Sequence, residues 1–303
     1  MSILYYNNCW FTNIGEAFID IGAMKMLQYL FPNQAIVNFS RMNYMYTTHI
    51  LGGGQNHKKL DMWKYIGGDV EYVVMAGMFA NEDYISSLVG SDFVNDLQER
   101  GAKVIYLGLG QCHYTSEETN AFRRYLEYVK PELVVTRDSV TYNNFKEIAP
   151  CINGIDCALW VRDSYNPSCS KPFRPYNVLT YNRSKESESA LKMVGDTFVR
   201  AQHMQYSAKA RHIRDNMLIS DTPYDYLTLY ACANEVYTDL VHATIAALQY
   251  GKHVWFERVD NRGYVIDSIG KLQQDSRGLI YIDENDLEIQ KRALIGEIKK
   301  VIK

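Results

Sequence analysis

Short runs rich in Val, Ile and Tyr alternate along the chain with stretches whose apolar residues recur every three or four positions. The first pattern predicts strands, the second helices with one buried stripe. In the first half, strands are expected at Ile3 to Tyr6, Tyr72 to Ala76, Lys103 to Leu107 and Leu133 to Thr136. Phe18, Ile21, Met24, Leu27 and Phe31 form a helical stripe that Pro32 ends, because proline lacks the N–H that would continue the ladder. Asp138 and Ser139 offer a cap for a helix carrying Tyr142, Phe145 and Ile148. This alternation specifies parallel sheets with helices on both faces, so the expected class is α/β.

The alternation breaks between Asp163 and Tyr176, where Pro167, Pro172 and Pro175 cluster among polar residues. That stretch is the expected linker between an N-terminal domain over 1–165 and a C-terminal domain over 175–303. A chain of 303 residues accommodates two domains of ~100 to 200 residues each. The second half resumes with a strand at Val178 to Tyr181, a helix around Ser187 to His203, a strand at Met217 to Ile219 and a helix starting at Thr222-Pro223. Strands follow at Glu235 to Thr238 and His253 to Phe256, and Asn285 to Lys303 reads as an amphipathic helix closing that domain.

Charge narrows the function classes. The formal net charge is −3, so no broad basic surface is available for a nucleic-acid backbone, and nucleic acid is not an expected partner. The six cysteines show neither a CxxC pair nor a zinc-type Cys/His spacing; reduced thiols and no metal are expected. The opening MSILYYNNCW lacks a basic segment followed by an apolar one, and the longest nearly apolar stretches, such as Val70 to Ala80, fall short of the ~18 to 20 residues that span a bilayer. A cytoplasmic location is expected, with at most peripheral membrane contact. The 24 tyrosines suit a carbohydrate site, although composition alone explains them as well. Gly52-Gly53-Gly54 lacks the Gly-Lys-Ser/Thr ending of a phosphate loop and reads as an ordinary loop.

Candidate chemistry concentrates in Glu235 to Phe256, a complete strand, helix and strand unit. If Asp239 caps the helix, His242 falls in its first turn, where exposed amides and the positive dipole end favour an anion and bias the imidazole toward neutrality. Arg137 follows a buried strand at its carboxyl end, the edge where such sheets bind ligands, or else pairs with Asp138. Asn13, Gly15 and Glu16 open the first helix, either as a capped start or as amides and side chains facing a ligand. Asp156, near the domain junction, either caps a turn or accepts a hydroxyl proton.

The unit resembles the C-terminal signature of the polysaccharide pyruvyl transferase family, a strand leading through Thr-x-Arg-x-His into a small-residue helix and Gly-Lys-Pro-Val. Thr238, Leu240, His242, Ala246, Gly251, Lys252 and Val254 stand against that pattern. Asn13-Ile14-Gly15-Glu16-Ala17, Thr136-Arg137-Asp138-Ser139 and Gly154-Ile155-Asp156-Cys157-Ala158-Leu159 match further motifs in the same order. The resemblance implies two Rossmann-like domains facing across a GT-B-like cleft. It also implies transfer of a pyruvyl group from phosphoenolpyruvate onto a sugar or glycan-lipid acceptor as a cyclic ketal, in cell-surface polysaccharide biosynthesis. Phosphoenolpyruvate is then a substrate, and no cofactor is expected.

Under that implication His242 supplies acid/base chemistry. Arg137 and the segment Thr238, Asp239, Leu240 and Val241 hold the donor, while Asn13, Gly15, Glu16 and Asp156 face the acceptor. Two departures stand out: Leu240 occupies the arginine position, and Ala76-Gly77-Met78 replaces a Gly-Gly-Gly turn. Arg183 and Arg258, each in a loop after a strand, are the candidates to replace the lost cation. Leu240 also keeps open a glycosyltransferase using a nucleotide sugar, and a non-catalytic glycan-binding relative. A homo-oligomer is left open.

Overall fold

In the computed structural model the described residues are 2–7, 13–40, 69–77, 80, 93–169, 175–203 and 213–302. The first half forms a parallel sheet from β1 (Ser2–Asn7), β2 (Ala35–Ser40), β3 (Val70–Ala76), β4 (Lys103–Leu109), β5 (Leu133–Thr136) and β6 (Cys151–Asn153), in the order β2-β1-β3-β4-β5-β6. Successive side chains point to opposite faces. Ile3, Tyr5, Val74 and Leu107 enter one core, while Leu4, Val73, Met75 and Tyr106 enter the other. Both faces are covered, which is why these strands read as unbroken apolar runs. Helix α1 (Ile14–Leu30) covers the first face; α2 (Phe93–Glu99), α3 (Ser116–Val129) and α4 (Ser139–Phe145) cover the second with Leu97, Phe122 and Phe145.

A 3-10 turn over Cys157–Trp160 and the short α5 (Val161–Ser164) lead toward a second sheet. Its strands are β7 (Asn177–Thr180), β8 (Phe198–Ala201), β9 (Met217–Leu218), β10 (Glu235–Thr238), β11 (His253–Phe256), β12 (Gln273–Gln274) and β13 (Ile280–Tyr281). The order is β12-β13-β11-β10-β7-β8-β9, parallel from β11 to β9, with β13 and β12 antiparallel at the edge. Among its helices are α6 (Glu188–Met193), α7 (Pro223–Cys232), α8 (Val241–Gln249) and α9 (Tyr264–Asp267). Gly251, at φ 68°, turns the chain from α8 into β11 in a left-handed conformation that favours glycine. Two parallel sheets flanked by helices are the Rossmann-like α/β fold expected.

Several local expectations need correction. The helix foreseen around Ser187 to His203 ends at Met193; Gly195, at φ 74°, reverses the chain, and Phe198–Ala201 pairs between β7 and β9 as a strand. The closing helix α10 (Glu284–Val301) does not stay with the second sheet. Its Lys291 pairs with Asp163 at 2.8 Å and stands over the Trp160 ring, and Leu294 approaches the backbone at Gly154. Cys169 and Cys232, expected as thiols, form a disulfide with Cα atoms 5.3 Å apart, tying the linker to α7. Their 63-residue separation gives no local sign of it. The Gly52-Gly53-Gly54 loop and Cys9 lie outside the described residues. Among the described residues no helix is long and apolar enough to cross a membrane.

One core joins the halves: Val135 from the first sheet, Phe18 of α1, Trp160, Val236 and Ile245 from the second sheet's side, and Ile298 of α10 belong to a single cluster. Helix α1 lies at its centre, and Gly22 allows its closest approach to the 3-10 turn. A Cβ on Gly22 would stand 1.8 Å from the Cys157 carbonyl oxygen. Because that neighbour is backbone and cannot rotate away, Gly22→Ala is expected to destabilise the protein by about 3 kcal/mol, the upper end for overpacking. Urea unfolding of the variant with an unchanged midpoint would contradict this packing.

Candidate active site

Both sheets bring their carboxyl edges to one place. In the first sheet the strand order reverses at β1, whose following helix begins at Asn13; in the second it reverses between β7 and β10. These are the positions at which open α/β sheets bind ligands. A cavity of about 210 Å³ lies there. Asn13, Gly15 and Glu16 line it from α1, Arg137 from the end of β5, and Asp239, Leu240, Val241 and His242 from the start of α8.

Asn13 caps α1 by accepting from the Gly15 N–H at 3.0 Å, and the Ile14 N–H donates to the His203 carbonyl at 3.1 Å. The helix start is thereby bonded to the second sheet's β8 edge. Gly15 faces His242 so closely that a Cβ would stand 2.5 Å from Nδ1. The other ring nitrogen, Nε2, is buried without a hydrogen-bond partner and lies 3.7 Å from Asp156 Oδ2. Asp156 also accepts from Arg137 Nη1 at 3.1 Å and from the Ala158 N–H at 2.9 Å. Burial by itself pushes the Asp156 carboxyl up, but His242, Arg137 and the Ala158 N–H outweigh it and hold the group at about 2. Arg137 is 2% exposed; its burial opposes the charge, and Asp156 together with Tyr114 and Asp138 outweighs that penalty. Gly110 makes room for the guanidinium, since a Cβ there would meet Nε at 2.3 Å.

Three sequence-based assignments change. Asp156 is 1% exposed and is not among the residues lining the cavity; it stands behind the wall, bonded to Arg137 and beside His242. Asp239 does not cap α8. The N-cap is Leu240, with no side-chain bond, and Asp239 accepts from the N–H groups of Asn182, Arg183 and Ser184 and from Ser184 Oγ. Its carboxylate thus fastens the loop after β7 to the end of β10. Arg258 does not line the cavity; it pairs with Asp267 at 2.9 Å and covers the Tyr264 ring. Thr238 is buried beneath, donating to the Thr180 carbonyl and accepting from the Leu240 N–H.

Leu240, 7% exposed, forms apolar wall where the motif carries arginine. Arg183 does reach the cavity, paired with Asp260 at 3.3 Å, and Arg262 joins the same carboxylate through Nε at 3.0 Å. Phe256, Val259 and Val265 complete an apolar side. Tyr114, from the loop after β4, meets Tyr264 edge-on at 5.1 Å, a contact between the first half and the second. Among the described residues no cluster of three His, Cys, Asp or Glu side chains is arranged to hold a metal.

The sequence model of the family described as polysaccharide pyruvyl transferase matches residues 13–261. The chain belongs to the polysaccharide pyruvyl transferase family. No curated protein matches it by sequence. Among solved structures, Methanocaldococcus jannaschii UDP-GlcNAc 2-epimerase in complex with UDP-GlcNAc and UDP superposes with a TM-score of 0.52 at 11% identity, over 97% of this chain and 99% of that one. The S. aureus MnaA–UDP co-structure gives 0.53 at 10% identity, over 97% of this chain and 88% of that one. At such identity the likeness is one of fold, two Rossmann-like units in a GT-B-like arrangement.

His203, Phe256, Val259, Asp260, Arg262 and Val265 line the cavity without having been singled out from the sequence. His203 follows β8, which read as helix, so its place at a strand's carboxyl edge was hidden. Asp260 and Arg262 follow β11 at the same kind of edge, two and four residues beyond Arg258.

His203 is fully buried, with Nε2 2.5 Å from the Tyr230 hydroxyl and its ring edge-on to Phe18. Burial first, and the nearby His242 second, push its pKa down to about 3. An unfolded histidine titrates near ~6.5. As pH falls below that value the unfolded chain takes a proton that the folded one refuses, so stability is full above ~6.5 and declines toward pH 3. The slope is at most about 1.4 kcal/mol per pH unit. Removing the titrating ring in His203→Gln should flatten the decline between pH 7 and pH 5 in urea unfolding. Equal slopes for variant and wild type would refute the buried neutral ring.

Proposed function

We propose that this transferase moves a pyruvyl group from phosphoenolpyruvate to two hydroxyls of a sugar or glycan-lipid acceptor, forming a cyclic ketal and releasing phosphate. The observation that carries the reading is the convergence of Arg137, Asp156 and His242 at a cleft between the sheets of a family member.

In this reading the donor's charges meet Arg137, the amides at the start of α8 and the loop cations Arg183 and Arg262. Helix N-termini and arginine forks both favour phosphate and carboxylate. His242, with Nε2 toward Asp156 and Nδ1 on the Gly15 side, delivers a proton to the donor methylene carbon, which becomes a methyl group. The first acceptor hydroxyl adds to the adjacent carbon. The second hydroxyl then attacks that carbon as its bond to the phosphate oxygen breaks. Of the two hydroxyl protons, one replaces the proton given to the methyl group and the other leaves with phosphate. Asp156 keeps the carboxylate form needed to balance a proton on His242. Asn13 and Glu16, opposite the α8 start, meet the acceptor in this reading.

His242→Gln should lower turnover by about 100-fold or more, as expected for loss of a general acid, without changing the thermal unfolding midpoint. The assay monitors phosphate release and ketal formation from phosphoenolpyruvate, with parallel reactions offering nucleotide sugars. Consumption of a nucleotide sugar by a wild-type protein inert toward phosphoenolpyruvate would overturn the pyruvyl reading and leave the fold assignment standing.

A further inference from the structure

The cavity is charge-matched before any ligand enters. Arg137, Arg183 and Arg262 line it together with Glu16, Asp239 and Asp260, and Asp156 lies directly behind Arg137. A donor carrying carboxylate and phosphate charges therefore meets cations that already have carboxylate partners. For such an anion to bind, one of those carboxylates must give way.

The carboxylates differ in their freedom to do so. Asp156 is 1% exposed and held by Arg137 and the Ala158 N–H; moving it would strand buried charges. Asp239 is 2% exposed and accepts from three backbone N–H groups and a hydroxyl, which fix the loop bearing Arg183. Glu16 is in the first turn of α1, across the cleft, near Asn13 Nδ2 at 3.4 Å. Asp260 is different. Its side chain is 35% exposed, and both cations that it binds are on the cavity wall, Arg183 from the β7 loop and Arg262 two residues further along its own loop. Arg183 Nη1 lies 3.3 Å from Asp260 Oδ2, a loose contact compared with the 2.7 to 2.9 Å typical of strong charge-assisted bonds.

We infer that Asp260 occupies, in the ligand-free cleft, the position of a ligand's anionic group, and that Arg183 and Arg262 form the anion clamp replacing the arginine absent at Leu240. Asp260 is then a competitor built into the site. A carboxylate or phosphate displaces it from Arg183, and the strength of the Asp260 contacts sets the threshold for ligand entry. The clamp itself requires only an anion; that the anion belongs to phosphoenolpyruvate rests on the functional reading above.

The test is calorimetric titration of wild type, Asp260→Asn, Arg183→Gln, Arg262→Gln and the Arg183→Gln/Asp260→Asn double variant with phosphoenolpyruvate and with inorganic pyrophosphate. Asparagine retains an oxygen for the Arg262 N–H, which Asp260 Oδ1 accepts at 3.0 Å, but lacks the competing charge. Asp260→Asn is expected to tighten anion binding about 10-fold, and each arginine variant to weaken it about 10-fold, the factor that one modest charge-assisted contact supplies. In the Arg183→Gln background the gain from Asp260→Asn should largely vanish, a coupling that a merely structural Asp260 would not produce. Unchanged or weaker binding of both anions by a folded Asp260→Asn protein overturns the inference. If Asp260→Asn does not fold, unchanged binding by both arginine variants overturns it equally. Tighter pyrophosphate binding by Asp260→Asn, with phosphoenolpyruvate ignored by every protein, would uphold the clamp and discard the pyruvyl reading.

Discussion

A carboxylate withdrawn from water must find its polar partners within the protein, and Asp156 finds them on both sides of the junction. The desolvation of each buried ion costs several kcal/mol, so a pair of this kind persists only where geometry supplies further hydrogen bonds. Arg137 comes from the end of β5 in the first sheet, His242 from the first turn of α8 in the second, and the Ala158 N–H from the 3-10 turn between them. Asp156 therefore reaches its full set of partners only when the two sheets are docked. Docking and assembly of the site are one constraint. The same constraint explains two small residues: Gly15 leaves space for the His242 ring and Gly110 for the Arg137 guanidinium.

Much of this was legible in the sequence because it depends on local pattern. The unit from Glu235 to Phe256 appears as β10, α8 and β11, since apolar strand runs, a small-residue helix and a glycine stop are all written within a few residues. Features resting on distant partners were not legible. Asp239 looks like a helix cap by position, yet three uncovered amides and one hydroxyl of the loop 57 to 55 residues earlier compete for it and win. The β8 strand is four residues long and follows directly on an amphipathic run, so periodicity alone merges it with α6. His203 was lost with it. Asp156 could be placed near the junction from its neighbours, but only packing reveals that its carboxylate is buried against Arg137 and His242.

The crossing of α10 back to the first half completes the same picture. Lys291 is buried, between Asp163, Glu288 and the Trp160 ring, and a buried ammonium needs such partners. On its other side the helix holds the second half, where Gln290 bonds with the backbone at Ser268 and Gly270. One amphipathic helix thus bridges the surfaces on either side of the junction, and its apolar stripe, with Leu294 and Ile298, belongs to the shared core. The amphipathic pattern predicted the helix; it carried no information about which face of which half would receive it.

With Leu240 where the family motif carries arginine, the proposed anion site depends on how Arg183 is mounted. Asp239 fixes the Arg183 backbone N–H at 3.0 Å, while the side chain extends to a partly exposed carboxylate at the cavity wall. The backbone is thus anchored while the guanidinium, one-third exposed, is held by Asp260. Immobilising one long side chain costs about 0.5 to 1.5 kcal/mol. A hydrogen bond to a charged group returns about 1.5 to 3 kcal/mol. That return must also cover the Arg183–Asp260 ion pair that a ligand displaces, so a cation delivered from a pinned loop serves only an anion that binds it more strongly than Asp260 does. Leu240 meanwhile remains in the apolar cluster beneath α8, where a guanidinium would need a buried partner of its own. On the inference drawn for Asp260, the cations stand on two loops and not at the helix start, and their availability depends on what Asp260 releases.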